Sequence, residues 1–248
     1  MKRSLPFHYD VDVYCECPIF YKLAVMKNHQ NYDDWLFNHG GVFMDGEFNA
    51  YLGRFGQRYR MEDFSPLLEF IPVDYRAFQS GEDLIRAMVQ ILSEGDYVLL
   101  EQGYPNKNTF IPDELWLHET VFYAIDTGKK TACSPDLRNG HFSEREQSFE
   151  EIIDCHELML KFYEDHACFA GQVREHAFPM CRIRLRHDTR EEANMLRFFH
   201  MLEQDFASGK TTTDYFDRDQ GRERQYVYRG ASEIFRGYRE WLDTREAR

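Results

Sequence analysis

The sequence lacks any long apolar run, and no stretch approaches the roughly 20 residues that a membrane-spanning helix requires. It also lacks internal repeats and low-complexity tracts, which disfavours solenoids and disordered tails. The first residues, MKRSLPFHYD, are basic but have no apolar segment of the kind found in a secretory signal, so we expect a cytoplasmic protein. Positive charge falls short of negative charge, with 30 Lys and Arg against 43 Asp and Glu, and the formal net charge of −13 disfavours nucleic acid, whose phosphates it would repel.

The sequence does contain enough hydrophobic residues to form a sizeable core. Hydrophobic residues make up 43% of its 248 positions, and aromatic residues make up 16%. A chain of this length forms one large domain or two small ones, and we expect a single domain over 1–248. Its cysteines are expected to be reduced, because disulfides are rare in the cytosol; they stand at positions 15, 17, 133, 155, 168 and 181.

Helices and strands are mixed along the chain without strict alternation. Helical spacing of apolar residues predicts helices that begin near Cys15, Tyr32, Ser80 and Ser148. Between the last two lie strand-like segments, among them LWLHETVFYAID and KKTACSPD, joined by a turn at DTGKK. A polar stretch at 208–225 is predicted to be a loop between two C-terminal helices. This order predicts an α+β fold.

Cys15 stands at the predicted start of the first helix. Unpaired N–H groups and the helix dipole at that position favour an anion, which makes a thiolate more available near neutral pH. The alternative is a buried thiol that opens the apolar stripe of the helix. Cys17 points about 200° away from Cys15 on the same helix, so the pair cannot serve one site if both are helical.

A zinc site is the other use that the cysteines suggest. It would recruit Cys15 and Cys17 together with Cys155-His156 and His166-x-Cys168. These spacings differ from the Cys-x2-Cys pairs of structural zinc sites. We therefore expect no metal.

His118 and Asp136 form the second half of a candidate site. His118 lies on a predicted strand, and Asp136 follows near the end of the neighbouring strand. A hairpin of this length can bring the carboxylate beside the imidazole, where it would hold the tautomer and stabilise an imidazolium. The chain order Cys, His, Asp is that of papain-like enzymes, in which a thiolate–imidazolium pair attacks a carbonyl or thioester.

With these residues in view, the sequence resembles the butirosin biosynthesis protein H type of cysteine acyltransferase. One matching patch is YCECPIFYKLAVMKNHQNYDDWLFNHGGVF, in which the family's His-Cys-Glu corresponds to Tyr14, Cys15 and Glu16. A second patch is WLHETVFYAIDTGKKTACSPDLRNGHFSEREQSFEEI, which has Ala124-Ile125-Asp126 where the family has Gly-Tyr-Asp. The segment VYRGASEIFRGYREWL is similar to the family's ending. The patches cover most of the chain.

The resemblance implies a papain-like or peptidase-C39-like fold, with an antiparallel sheet, an N-terminal nucleophile helix and additional C-terminal helices. The C-terminal part, about 187–248, would pack on or cover the site. The resemblance also implies Cys15 as nucleophile, His118 as general base and then acid, and Asp136 as the residue that orients the histidine. Oxyanion or substrate-binding groups are less defined, and the candidates near the nucleophile are His8, Tyr9, Tyr14 and Glu16.

The function implied is acyl transfer in antibiotic, nonribosomal peptide or polyketide biosynthesis. An acyl or aminoacyl group would pass from an acyl or peptidyl carrier protein to Cys15, and then to the amine or hydroxyl of a small-molecule acceptor. No cofactor is expected beyond the carrier's phosphopantetheine. Two alternatives stay open: a thioesterase, amidase or peptidase with the same residues, and a non-catalytic binding or scaffold module of a biosynthetic assembly.

Overall fold

The computed structural model of the chain describes residues 1–11, 17–39, 42–45, 50–52, 67–74, 78–105, 115–138, 141–165, 180–199, 210–217 and 222–229. Its helices are α1 (Cys17–Met26), α2 (Tyr32–His39), α3 (Gly81–Ser93) and α4 (Phe149–Asp165), and a helical turn spans 195–199. Its strands are β1 (Lys2–Ser4), β2 (Val42–Asp45), β3 (Ala50–Leu52), β4 (Leu68–Pro72), β5 (Tyr97–Pro105), β6 (Leu115–Phe122), β7 (Ala124–Asp126), β8 (Thr131–Arg138), β9 (His141–Ser148), β10 (Met180–Leu185), β11 (Lys210–Asp217) and β12 (Arg222–Arg229). Every strand pairing among them is antiparallel. The α+β class predicted from the sequence is confirmed.

The chain forms two compact units. The first comprises Met1–Val11, Tyr21–His29 and Phe64–Thr189, and the second comprises Asp12–Phe20, Gln30–Asp63 and Arg190–Arg248. The first unit holds two four-stranded sheets, with strand orders β1-β7-β8-β9 and β4-β10-β5-β6. The second unit holds a third sheet, β11-β12-β2-β3.

The two sheets of the first unit are joined at the boundary between β6 and β7. Only Tyr123 separates these strands, and its N–H donates to the carbonyl of Cys133 on β8. As a result β8 pairs with β7 and also lies against β6. This places the predicted histidine strand and the predicted aspartate strand side by side.

From Phe20 to Met26, helix α1 is buried on nearly every side rather than along one stripe. Phe20, Tyr21 and all residues from Leu23 to Met26 are at most 2% exposed. A helix that is apolar all round is one that neighbouring elements enclose. Lys22 therefore enters the interior with its neighbours and is only 1% exposed.

Helices α3 and α4 begin directly after Ser80 and Ser148, close to the predicted positions. The Asp83 carboxylate accepts the N–H of Ser80 at 3.1 Å at the start of α3. The Ser148 hydroxyl accepts the N–H of Glu151 at 3.1 Å at the start of α4. Such contacts satisfy N–H groups that have no partner within the helix.

The region 208–225 differs from the predicted loop. Strands β11 and β12 form an antiparallel hairpin there, with Lys210 opposite Arg229. The segment is polar, but β11 contains three consecutive threonines followed by Tyr215 and Phe216, and β12 contains Tyr226, Val227 and Tyr228, which are residues that favour strands. The second predicted C-terminal helix falls in 230–248, outside the described residues, and the single domain expected from the sequence stays a prediction.

The described parts of the chain contain no helix long and apolar enough to cross a membrane.

Candidate functional site

His118 lies in the middle of β6, opposite Gln102 of β5. The strand forms because β-branched and aromatic residues follow the histidine, and Thr120, Val121 and Phe122 are all buried. His118 itself is half-buried. From α1, the ring of Tyr21 meets the imidazole edge-on, with 6.0 Å between the ring centroids.

A main-chain contact fixes which ring nitrogen of His118 carries the proton. Nδ1 lies 2.5 Å from the carbonyl oxygen of Glu119. A carbonyl oxygen only accepts hydrogen bonds, so Nδ1 is the donor. In the neutral ring the lone pair is then at Nε2, which is the nitrogen that can take a proton from a nucleophile.

Burial keeps this imidazole uncharged. It lowers the pKa of His118 below the ordinary value of 6.5. The Glu119 carbonyl and the negative charges of Glu119 and Asp136 oppose that effect without cancelling it. At neutral pH His118 is therefore a base rather than one half of a preformed ion pair.

Asp136 lies near the end of β8, opposite Ser143 of β9. It is half-buried, and its charge acts both on His118 and on Arg145 of β9. The structure thus brings together two members of the predicted catalytic set. The sequence predicts that Asp136 holds the tautomer of His118. In the structure, the hydrogen bond from Nδ1 to the Glu119 carbonyl already holds it.

Beside this pair lies a polar group of residues that sequence reasoning missed. The Tyr104 hydroxyl donates to Gln102 Oε1 at 2.6 Å, and the Arg145 guanidinium lies 5.4 Å from the centre of the Tyr104 ring. Arg145 also pairs with Glu151 at the start of α4. Burial raises the pKa of Tyr104, so its hydroxyl stays protonated and able to donate. Only the pairing of β5 with β6 and of β8 with β9 brings these residues near His118.

Two buried amides lie in this region, Gln102 and Gln147, and both are 0% exposed. Gln147 hydrogen-bonds the Tyr104 hydroxyl, whereas in the described part of the chain the Nε2 atom of Gln102 has no hydrogen-bond partner.

The upstream candidates His8 and Tyr9 are engaged elsewhere. His8 Nε2 lies 3.0 Å from Asn28 Oδ1. The Tyr9 hydroxyl lies 2.9 Å from that of Tyr123, which in turn donates to Glu144 at 2.6 Å. Because side chains alternate along a strand, Glu144 is on the opposite face of β9 from Arg145 and thus from Asp136. The structure therefore does not bring Tyr9 together with Asp136.

The remaining candidates of the first helix lie outside the described residues. These are Tyr14, Cys15 and Glu16. The backbone of α1 begins at Cys17, two positions after the predicted nucleophile. The roles of these three residues stay predictions.

Three other thiols are described, and none is activated. Burial raises the pKa of Cys155 to about 11 and that of Cys181 to about 12. Burial and the charges of Glu144 and Glu146 raise the pKa of Cys133. A thiol that stays protonated at neutral pH is a poor nucleophile.

Metal ligands do not cluster in the described ranges, where no three His, Cys, Asp or Glu side chains are placed to hold an ion. His156, a member of the zinc alternative, is 4% exposed on α4 and hydrogen-bonds the backbone of Glu101.

No protein-family model, curated protein or solved structure matches the chain. Any function is therefore argued from the chemistry of the site.

Proposed function

We propose that the protein is a cysteine acyltransferase of secondary-metabolite biosynthesis. It takes an acyl or aminoacyl group from a carrier-protein thioester onto Cys15 and passes it to the amine or hydroxyl of a small-molecule acceptor. The fold proposed for it is papain-like or C39-like, and its compartment is the cytoplasm. It needs no cofactor of its own, because the phosphopantetheine belongs to the carrier.

The observation that carries the proposal is the state of His118. The Glu119 carbonyl binds Nδ1, burial keeps the ring neutral, and Nε2 is the basic atom. A neutral imidazole with a defined lone pair suits a general base, which must accept a proton near neutral pH. The charge of Asp136 favours the imidazolium that forms when it does.

The chemistry proceeds in two half-reactions. In the first, the Cys15 thiol gives its proton to His118 Nε2 while sulfur bonds to the thioester carbonyl carbon. The bond between the acyl carbon and the sulfur of the carrier then breaks, and the departing sulfur takes the proton from the imidazolium. In the second, His118 removes a proton from the acceptor amine or hydroxyl as it attacks the acyl-enzyme. The Cys15–acyl bond breaks, and the proton returns to the Cys15 sulfur.

The first test is the mass of the intact protein after incubation with a panel of acyl-carrier thioesters. We expect one acyl adduct on the wild type and on Cys17→Ala, and none on Cys15→Ala. Cys17 is the matched control because it is the nearest other thiol in the chain. An adduct that survives Cys15→Ala contradicts the assigned nucleophile, and no adduct across a broad panel favours a scaffold module.

The acceptor is tested on the isolated acyl-enzyme. Loss of the adduct to amines or alcohols with formation of an amide or ester supports a transferase. Release of free acid at the same rate with and without acceptors identifies a hydrolase instead. The assays belong at about 0.15 M ionic strength, because a chain with net charge −13 and an acidic carrier repel each other less when salt screens them.

A further inference from the structure

The backbone and the side chain of Glu119, the residue after His118, contact different partners. Its main-chain carbonyl oxygen binds His118 Nδ1. Its side-chain Oε2 accepts a hydrogen bond from Lys22 Nζ at 3.2 Å. One residue therefore connects the candidate general base to helix α1.

The ion pair is sheltered from water. The side chain of Lys22 is 1% exposed and that of Glu119 is 18% exposed. In such surroundings opposite charges attract strongly, and removing one partner leaves the other uncompensated. Lys22 lies next to Tyr21, whose ring contacts His118, so two consecutive residues of α1 contact two consecutive residues of β6. This pairing fixes the register of the helix on the strand.

The location of Lys22 in the chain gives the contact its functional relevance. Lys22 is seven residues after Cys15 along the sequence. Glu119 therefore binds the helix that follows the proposed nucleophile in the sequence and adjoins the proposed general base. No feature of the sequence distinguishes Glu119 from the other acidic residues of the chain.

We propose that Glu119 is a positioning residue that holds α1 against β6 through Lys22 and sets, by its charge, the pH range in which His118 is a base. The kinetic consequence rests on the proposed acyl transfer, whereas the effect on the charge state of His118 does not. The charge of Asp136 on β8 also acts on His118, the ring of Tyr21 on α1 contacts it, and its partner on β5 is the uncharged Gln102.

The direction in which each substitution moves the pKa of His118 follows from Coulomb's law. Glu119→Gln removes a negative charge beside His118 and leaves Lys22 positive, so the imidazolium is disfavoured and its pKa falls. Lys22→Met leaves Glu119 negative and uncompensated, so the pKa of His118 rises. The double variant Lys22→Met/Glu119→Gln removes both charges and lies between the two. A purely structural role would instead make both single variants less stable without opposite effects on His118.

The experiment is an NMR titration of the His118 ring in the wild type and the three variants, with circular dichroism to show that each is folded. We expect opposite displacements for the two single variants and an intermediate midpoint for the double variant, which carries no unpaired buried charge. In the transferase assay, the rates well below the midpoint should change roughly two- to tenfold, in opposite directions. Displacements of the same sign, or none, in folded variants would overturn the proposal.

The titration separates this proposal from the proposed function. If the ring midpoints move as expected while no acyl adduct forms on any variant, Glu119 governs His118 but the acyl-transfer assignment fails. If the adduct forms and the midpoints do not move, acyl transfer stands and the role of Glu119 is contradicted.

Discussion

His118 owes its tautomer to a main-chain atom, and this changes what Asp136 has to do. In a triad whose carboxylate holds the tautomer, replacing that carboxylate by an amide costs about 10⁴-fold in rate. Here the Nδ1 proton is bound by the Glu119 carbonyl, which survives any side-chain substitution. Asp136 contributes its charge, which favours the imidazolium.

Asp136→Asn is therefore expected to reduce the rate of acyl transfer by roughly ten- to a hundredfold rather than about 10⁴-fold. It should also lower the pKa of His118 further, because a negative charge beside the ring is lost. The base form exists above that pKa and disappears as the pH falls through it, so the acid limb of the pH–rate profile moves to lower pH. The profile of log kcat/KM against pH measures both effects.

Ser143→Ala is the matched control for Asp136→Asn. Ser143 lies directly opposite Asp136 on β9 and is exposed, and its hydroxyl carries no charge. We expect an unchanged profile. A loss near 10⁴-fold in Asp136→Asn would show that the carboxylate sets the tautomer after all.

The histidine and the aspartate were accessible from the sequence because strand alternation and a short turn place them on neighbouring strands. Gln102, Tyr104 and Arg145 were not predicted: they reach the site through the pairing of β5 with β6 and of β8 with β9, and the polar strand β9 has no apolar pattern in the sequence. The hydrogen bond from His118 to Glu119 has no sequence signal at all, because every residue carries the same carbonyl. The placement of Cys15 remains a prediction.

Helix α4 lies directly against strand β5 at Gly103. A Cβ at Gly103 would lie 2.9 Å from the backbone N of Met159 and 3.3 Å from the carbonyl carbon of Leu158. Backbone atoms cannot rotate away as a side chain can. The absence of a side chain at Gly103 is thus what lets the helix lie against the strand.

Gly103→Ala is expected to lower the free energy of unfolding by about 1–3 kcal/mol, because α4 must shift to admit the methyl group. Urea denaturation measures the change. Gly128→Ala is the control: its Cβ would meet only the Asp126 carboxylate oxygen, at 3.3 Å, and we expect a change within about 0.5 kcal/mol. Equal effects in the two variants would contradict the close contact.

Two of the strands missed from the sequence, β9 and β1, share a physical cause. Strand β9 is polar, and Gln147 is its buried residue. It is an edge strand of its sheet, where polar and charged side chains are common. β1 ends the same sheet and is also polar. In contrast α3, whose apolar residues recur at helical spacing, and the segment LWLHETVFYAID, which forms β6 and β7, were predicted correctly. Apolar periodicity in a sequence indicates which residues are buried. Polar edge strands form through backbone pairing and leave no such pattern.

For the molecule as a whole, buried histidines couple folding to pH. His156 on α4 is 4% exposed, and burial lowers its pKa from 6.5 to about 4. Burial also lowers the pKa of His118. Both rings accept a proton more readily in the unfolded chain than in the folded one, so stability falls as the pH decreases below 6.5.

The contribution of His156 to stability is complete above pH 6.5, is lost progressively between pH 6.5 and about pH 4, and amounts to about 3 kcal/mol in total.

In the variant His156→Leu, unfolding is no longer coupled to the binding of a proton by this ring. The free energy of unfolding should then depend less steeply on pH, by about 1.4 kcal/mol per pH unit in this window. Urea titrations at several pH values between 4 and 7.5 measure the slope, which is independent of any uniform loss of stability from the substitution itself. Ile152→Val, at a buried position of α4 without a titratable group, is the control and should lower stability while leaving the slope unchanged. An unaltered slope in His156→Leu would show that the ring titrates in the folded protein as it does in the unfolded chain.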